Sequence, residues 1–440
     1  MYDLSIIGGS IYLDHKWVKS NLYIDAGKIA CISKEILPAV KKQEADGLKV
    51  IPGLIDPHVH LAMNAGKYIS ADDFLSGSIA AAYGGVTTVI DFLDERPTGE
   101  GIIQEFGRKS ALAKESIIDY SFHAAICELK DSADEIARAA LSIGSPTIKL
   151  YTTYKPASYS SARTINRMIE RSSKNDIRIL CHAEDDDLID FELQDIHQLG
   201  QARPPEVEIS QVIKIADAVR QYNGQAYIVH TSCGSTVQRL KEEYFDILNK
   251  RLFLESVPHY FYFDDSVYQR PDAYRFSMTP PLRPKVEQQR LREYYRLISV
   301  FATDHCPFMC AEKENKKISE TPMGVGGIEH SFALMYELFG DEVIPRFTEY
   351  SARLHGLYPQ KGCLAKGSDA DITMFENLEH AHPFENHSRQ DDSIYRDIQT
   401  KVKVEHVISR GNFVIKNGVL HSNRGHMIRR SLVRNVGLKG

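Results

Sequence analysis

The sequence predicts an α/β protein: a (β/α)8 TIM barrel carrying a small β-sandwich domain formed by the N- and C-terminal segments. Three observations predict it. Through the middle of the chain, apolar strand-like runs are separated by helical stretches, the pattern of repeated β-α units around a parallel sheet. Eight such runs spread over roughly 300 residues are what a closed barrel with insertions requires. Short strands broken by turns fill the first fifty residues and return near the C-terminus, so the two ends supply one further β layer.

In order, the N-terminal strands are expected at residues 4–7, 11–12, 22–24 and 29–32, with a turn at Asp25-Ala-Gly27. Their C-terminal counterparts are expected at 370–375, 402–408 and 413–420, the last containing Asn417-Gly418, a strong hairpin signal. The barrel strands are expected at 51–55, 86–91, 120–127, 147–151, 177–182, 226–230, 252–257 and 298–304. A helix is expected to start at Ser70, with Asp73 as its capping-box partner, and to end at Gly84-Gly85. The division that follows is 1–50 and 361–425 for the sandwich, 51–360 for the barrel and 426–440 for a C-terminal tail. An open doubly wound sheet would need a glycine-rich phosphate loop after its first strand, and Asp56-Pro-His-Val-His60 is not one.

Bulk properties exclude several classes of function. With 440 residues and 43% apolar composition, the chain can bury a large core. Its 53 basic and 59 acidic residues are interspersed and sum to −6, leaving no electrostatic footprint for nucleic acid. Arg424, Arg429, Arg430 and Arg434 read as a solvated tail or a subunit contact. Seven scattered cysteines form no disulfide framework, which points to a reducing cytoplasm. No export signal and no membrane-spanning apolar stretch is expected.

The chemistry starts at His58 and His60, one residue apart in extended backbone and therefore on one face, where two imidazoles can share a metal ion. Barrel active sites form at the C-terminal ends of the strands. Strand one places His58 and His60 there, strand four Lys149, strand five His182, strand six His230 and strand eight Asp304. Four histidines and an aspartate on one rim point to a metal site. Lys149, between Ile148 and Leu150 on a central strand, is costly to bury charged, and the neutral amine is a nucleophile. Either it reacts with carbon dioxide to a carbamate that bridges two metals, or it snorkels to the rim or pairs with a carboxylate.

From Asp56-x-His58-x-His60 through Lys149, His182-Ala-Glu184, His230-Thr-Ser-Cys233 and Ala302-Thr-Asp-His-Cys-Pro307, the sequence closely resembles the cyclic amidohydrolases of the hydantoinase/dihydropyrimidinase family. Lys361-Gly-Cys-Leu-Ala-Lys-Gly-Ser-Asp-Ala-Asp371 resembles that family's return into its sandwich, so the likeness covers nearly the whole chain. The resemblance implies a binuclear centre with Lys149 as N6-carboxylysine. His58, His60, Lys149 and Asp304 would bind one ion, and Lys149, His182 and His230 the other. Zinc suits the ligand set best, and manganese, cobalt or iron also fit. A hydroxide bridging the two metals would attack a ring amide carbon. By the same resemblance Asp304 would take its proton and pass it to the leaving nitrogen, and Tyr154 would stabilise the oxyanion. Asp56 is read as orienting the histidine pair from behind.

The substrate is expected to be an uncharged cyclic diamide, a dihydropyrimidine or a hydantoin. Dihydroorotases on the same scaffold read a substrate carboxylate with an arginine at the position held here by Ala62. The segment 63–69, leading into Ala71-Asp-Asp-Phe74, resembles the hydantoinase loop instead. Allantoinase and dihydroorotase remain alternatives, as does a non-catalytic scaffold of the same family or a mononuclear deaminase-like hydrolase. Two substrate-binding positions depart from the family pattern: Thr279 stands where serine is usual and Met323 where asparagine is usual. Lys67 is a further point of recognition for an anionic substituent, or simply a solvated loop lysine. A homotetramer or homodimer is implied, with the segment after Val419 at the contact.

Overall fold

The computed structural model describes residues 1–314, 317–432 and 438. Eight parallel strands pair in sequence order: Leu54–Val59, Val86–Phe92, Asp119–Ala125, Thr147–Tyr151, Arg178–His182, Ala226–Ile228, Leu252–Ser256 and Val300–Phe301. The sheet closes on itself where the His60 amide donates to the His305 carbonyl at 2.9 Å, beside a parallel bridge between Val59 and His305. Helices cover the outside and side chains fill the inside, so strands two and three are buried at every position. That double burial explains why these runs read as continuous rather than alternating in polarity.

Strand one begins later than the apolar run 51–55 suggests. Lys49–Pro52 pairs with Ile372–Pro383 in the terminal sheet, and the barrel is entered only at Leu54. Gly53 makes the change of sheet possible. Its amide donates to the Asp371 carbonyl at 2.8 Å, and a Cβ there would collide with the Thr87 side chain. The first barrel helix, Phe74–Tyr83, likewise starts after Ser70. Asp73 is itself the N-cap, accepting from the Ser76 amide at 2.9 Å while Ser76 Oγ accepts from the Asp73 amide at 3.1 Å. Ser70 instead donates its amide to Met63, closing the small hairpin of Asn64–Ala65 and Tyr68–Ile69. The helix ends at Gly84, and Gly85 follows at φ +89°, a left-handed conformation that glycine adopts without steric cost.

The terminal layer has two sheets. One holds the N-terminal strands Lys28–Ser33, Asn21–Asp25, Tyr2–Ile7 and Ala39–Glu44. The other joins both chain ends: Val419–Leu420, Asn412–Lys416, Gln399–Ser409, Ile372–Pro383, Lys49–Pro52, Ser10–Leu13 and Lys16–Lys19. Leu4, Ile6, Leu22 and Ile24 from the first sheet pack with Ile11, Val50, Ile372, Met374 and Ile408 from the second. Asn417 and Gly418 turn the last hairpin with φ of +50° and +69°, the left-handed pair that a tight two-residue turn needs.

Part of the tail is not a solvated face. Arg430 is buried under the N-terminal end of the barrel, where it donates to the His355 carbonyl at 3.0 Å, to Ser121 Oγ at 2.8 Å and to Thr147 Oγ1 at 2.9 Å. Backbone acceptors exposed by the strand starts explain why a charged residue goes there. Arg434 lies outside the described residues. No described helix is long and apolar enough to cross a membrane.

Candidate functional site

The residues singled out at the strand ends meet in one buried cluster. His58 lies in strand one and His60 just beyond it; Lys149 is in strand four and His182 ends strand five. His230 and Asp304 follow strands six and eight by two and three residues. Ligand atoms of His58, His230 and Asp304 all lie within 4.8 Å of one another. Asp304 Oδ1 is 3.0 Å from His58 Nε2 and 3.0 Å from His60 Nε2. The two Nε2 atoms are 3.2 Å apart, and His182 Nδ1 is 3.0 Å from His230 Nε2.

The proton positions follow from the outer partners. His58 Nδ1 donates to Glu255 Oε1 at 2.6 Å, and His182 Nε2 donates to Glu184 Oε2 at 2.7 Å. With those nitrogens protonated, the inward-facing His58 Nε2 and His182 Nδ1 are the ones free to offer lone pairs to a cation. Lone pairs thus converge on lone pairs and on a carboxylate oxygen at about 3 Å, close to the edge of roughly 3.3 Å expected around an ion with 2.0–2.1 Å bonds. The donor set fits a divalent ion such as zinc. Burial raises Asp304, but the imidazoles of His58 and His60 hold it well below the usual carboxylate range. Burial lowers His58, yet Glu255 and Asp304 lift it to about 9. The two shifts share one interaction seen from each side, a proton on His58 held against the Asp304 carboxylate, which is the place a divalent cation would take.

Lys149 sits beside this cluster with its Nζ 4.9 Å from the Phe92 ring centre and 5.0 Å from that of Tyr151. It is 1% exposed, so it does not snorkel to water, and among the described residues no carboxylate forms an ion pair with it. Burial drives its pKa down to about 8. Both alternatives to a reactive amine, exposure and pairing, are therefore absent among the described residues.

Tyr154, Thr279 and Met323 are each half-buried. Tyr154 Oη and Thr279 Oγ1 are 2.5 Å apart, and the Tyr154 ring centre is 5.2 Å from that of His182. Burial pushes the Tyr154 hydroxyl's pKa up, so it stays a protonated donor at neutral pH. The Met323 loop meets the Thr279 loop where the Gly324 amide donates to the Ser277 carbonyl at 3.0 Å. Tyr154, His230 and Asp304 take φ of +72°, +39° and +50°. Such left-handed residues cost about 1–3 kcal/mol each and gather where a side chain must be aimed.

Of the supports, sequence reasoning named Asp56 and missed the others. Glu255 holds His58 and also accepts from the His230 amide at 3.1 Å and from the Tyr227 hydroxyl at 2.8 Å. Arg203 anchors Glu184 at 2.7 Å. Asp56 accepts from the His58 amide at 3.1 Å and from Thr303 Oγ1 at 2.5 Å, which ties strand one to strand eight. A signal for Glu255 existed, because an acid inside the apolar run 252–257 is affordable only with partners. Arg203 lies in a loop and left no periodic trace.

Comparison with known proteins agrees with this geometry. The Amidohydrolase family matches residues 49–414. D-hydantoinase from Geobacillus stearothermophilus is 29% identical over 441 residues, covering 94% of this chain and 93% of that protein. D-phenylhydantoinase from Escherichia coli O9:H4 (strain HS) is 30% identical over 448 residues, covering 94% and 95%. Among solved structures, D-hydantoinase from Bacillus sp. AR9 superposes with a TM-score of 0.93 at 27% identity, covering 99% of this chain and 100% of that one. Dihydropyrimidinase from Brevibacillus agri NCHU1002 gives 0.91 at 26% identity, covering 98% and 99%. A match over most of the chain, on a fold with the same closed barrel, places the protein in the amidohydrolase family, within the hydantoinase/dihydropyrimidinase group.

Proposed function

We propose that the protein opens a cyclic amide ring, a hydantoin or a dihydropyrimidine, by metal-dependent hydrolysis. The observation that carries this reading is the convergence of imidazole lone pairs and one carboxylate oxygen beside a buried lysine that has no counter-ion among the described residues. His58, His60 and Asp304 would hold one divalent ion, most simply zinc, and His182 and His230 a second. Lys149 would serve both after its neutral amine adds to carbon dioxide and loses a proton, giving a carbamate with two oxygen ligands. Such an ion pair, when bound, activates water at neutral pH and polarises a carbonyl.

The remaining steps belong to the chain. Asp304, aimed by its left-handed backbone, accepts the proton of the attacking water and returns it to the ring nitrogen as the carbon–nitrogen bond breaks. Tyr154, released from Thr279, donates to the oxygen on which negative charge develops. Thr279 and Met323 form the wall that meets the ring. Ala62 leaves no guanidinium for a ring carboxylate, which favours an uncharged diamide over dihydroorotate. Allantoin, also a hydantoin, is the second candidate. The reading includes a homo-oligomer, and a cytoplasmic setting is supported by seven free cysteines.

The test is a steady-state panel of dihydrouracil, hydantoin, allantoin and dihydroorotate, with metal content measured on the same preparation. Ring opening of a diamide with near two equivalents of metal is expected. Asp304→Asn is expected to lower turnover by at least about 10³-fold, some 4 kcal/mol, with the fold retained by circular dichroism. Cleavage of dihydroorotate alone would overturn the substrate assignment, and substantial activity in Asp304→Asn would remove Asp304 from proton transfer.

A further inference from the structure

Lys313 is a buried cation that the proposed chemistry does not use. It ends the short helix Cys310–Lys313 in the segment after strand eight and is 5% exposed. Its ammonium donates to three main-chain carbonyls, Arg275 at 2.9 Å, Ser277 at 3.3 Å and Gly324 at 2.7 Å. Three N–H donors thus meet three acceptors. Among the described residues no carboxylate pairs with it. An ammonium taken out of water for carbonyl dipoles alone carries a large desolvation cost, which an apolar side chain would avoid.

The carbonyls come from two different loops. Arg275 and Ser277 precede Thr279 in the segment after strand seven, and Gly324 follows Met323 in the segment after strand eight. The same two loops touch at two other points: the Gly324 amide donates to the Ser277 carbonyl at 3.0 Å, and Ser277 Oγ donates to the Pro322 carbonyl at 3.0 Å. Lys313 therefore fixes the spacing of the Thr279 and Met323 segments from below. Thr279 in turn holds the Tyr154 hydroxyl.

We infer that Lys313 is a positioning residue that sets the ring-binding wall formed by the Thr279 and Met323 segments, without touching substrate itself. This rests on the function proposed above. A misplacement of about 1 Å in a binding wall can cost roughly 100-fold, and the damage should fall on ring binding because neither metal ligands nor Asp304 bond to Lys313. The test uses full-length, metal-loaded protein and whichever ring of the panel the wild type opens. Lys313→Met should raise KM at least tenfold while kcat changes less than threefold and metal content stays at the wild-type level. Lys313→Arg, which keeps charge and donors, should recover most of the loss in KM. If the methionine variant does not fold, Lys313→Gln decides: an elevated KM supports the role, and a wild-type KM overturns it. A loss confined to kcat, a loss of metal, or an unmoved KM in Lys313→Met overturns it also. Absence of turnover by the wild type is a separate result, which overturns the functional reading and this inference with it.

Discussion

Two buried lysine-centred clusters lie at opposite ends of the same barrel and have opposite charge logic. At the N-terminal end Lys361 sits 2.7 Å from Asp119, 3.2 Å from Asp369 and 2.5 Å from Asp371. Against the pull of burial, those carboxylates raise its pKa above the ordinary lysine range. At the C-terminal end no carboxylate forms an ion pair with Lys149 among the described residues, and burial outweighs the pull of Asp304 and Glu255 and lowers its pKa to about 8. Each cluster contains three acid or imidazole groups close enough to share an ion. In the first, the chain's own ammonium already fills that place and ties the barrel to the terminal sheets. In the second, lone pairs face one another and the lysine adds no carboxylate-paired charge. A tally of ligand-type residues cannot separate a brace from a reactive centre, whereas asking where the cation comes from does.

Substituting the two lysines gives the sharpest test of that contrast. Lys149→Met should lower turnover by about 10⁴-fold, some 5–6 kcal/mol in the barrier. Metal content, measured by atomic emission, should fall below one equivalent if Lys149 supplies the shared carbamate ligand proposed above. Millimolar formate, a small carboxylate able to enter the vacated space, should restore part of both. Full metal content in this variant would break the contrast, since Lys149 would then be no more than another buried lysine.

Lys361→Met should do the reverse. Removing the ammonium leaves three buried carboxylates facing one another, and breaking a buried ion cluster on one side costs about 3–5 kcal/mol. The variant should lose stability of that order in urea, while metal bound per folded molecule and KM remain those of the wild type. Loss of metal without loss of stability would mean that the acidic cluster, not the histidine rim, is the ion site.

Much of this arrangement was legible in the sequence because it is carried by the strands. Strand four matches the apolar run 147–151, and the histidines stand out because each follows such a run. What could not be read came from places without period. The shift of strand one depends on the close approach of Gly53 to Thr87, a contact between segments more than thirty residues apart. The start of the first helix turned on which of several capping residues the loop needed for its own hydrogen bonds. Arg430 looked like a surface charge because basic tails usually are, and only the carbonyls beneath the barrel explain its burial. Lys313, at the end of a four-residue helix, and Arg203, in a loop, have partners fixed by tertiary structure alone.

The smallest effect concerns the carboxylates behind each cluster. Glu255→Gln keeps the size of the side chain and an oxygen that can accept from His58 Nδ1 and the His230 amide, so the fold should survive. It removes the negative charge that makes His58 a better donor to an ion on its other face. Supports of this kind are worth about 10–100-fold in metal affinity. Competition with a chromogenic chelator should therefore show weaker binding by that factor, with turnover recovering once metal is in excess. Asp371→Asn, the matching change beside Lys361, leaves Lys361 with Asp119 and Asp369 and should cost stability without moving metal affinity. If both variants shifted metal affinity equally, the two clusters would be coupled through the barrel. If neither did, Glu255 would be a partner for Tyr227 and the His230 backbone rather than a support for the ligand.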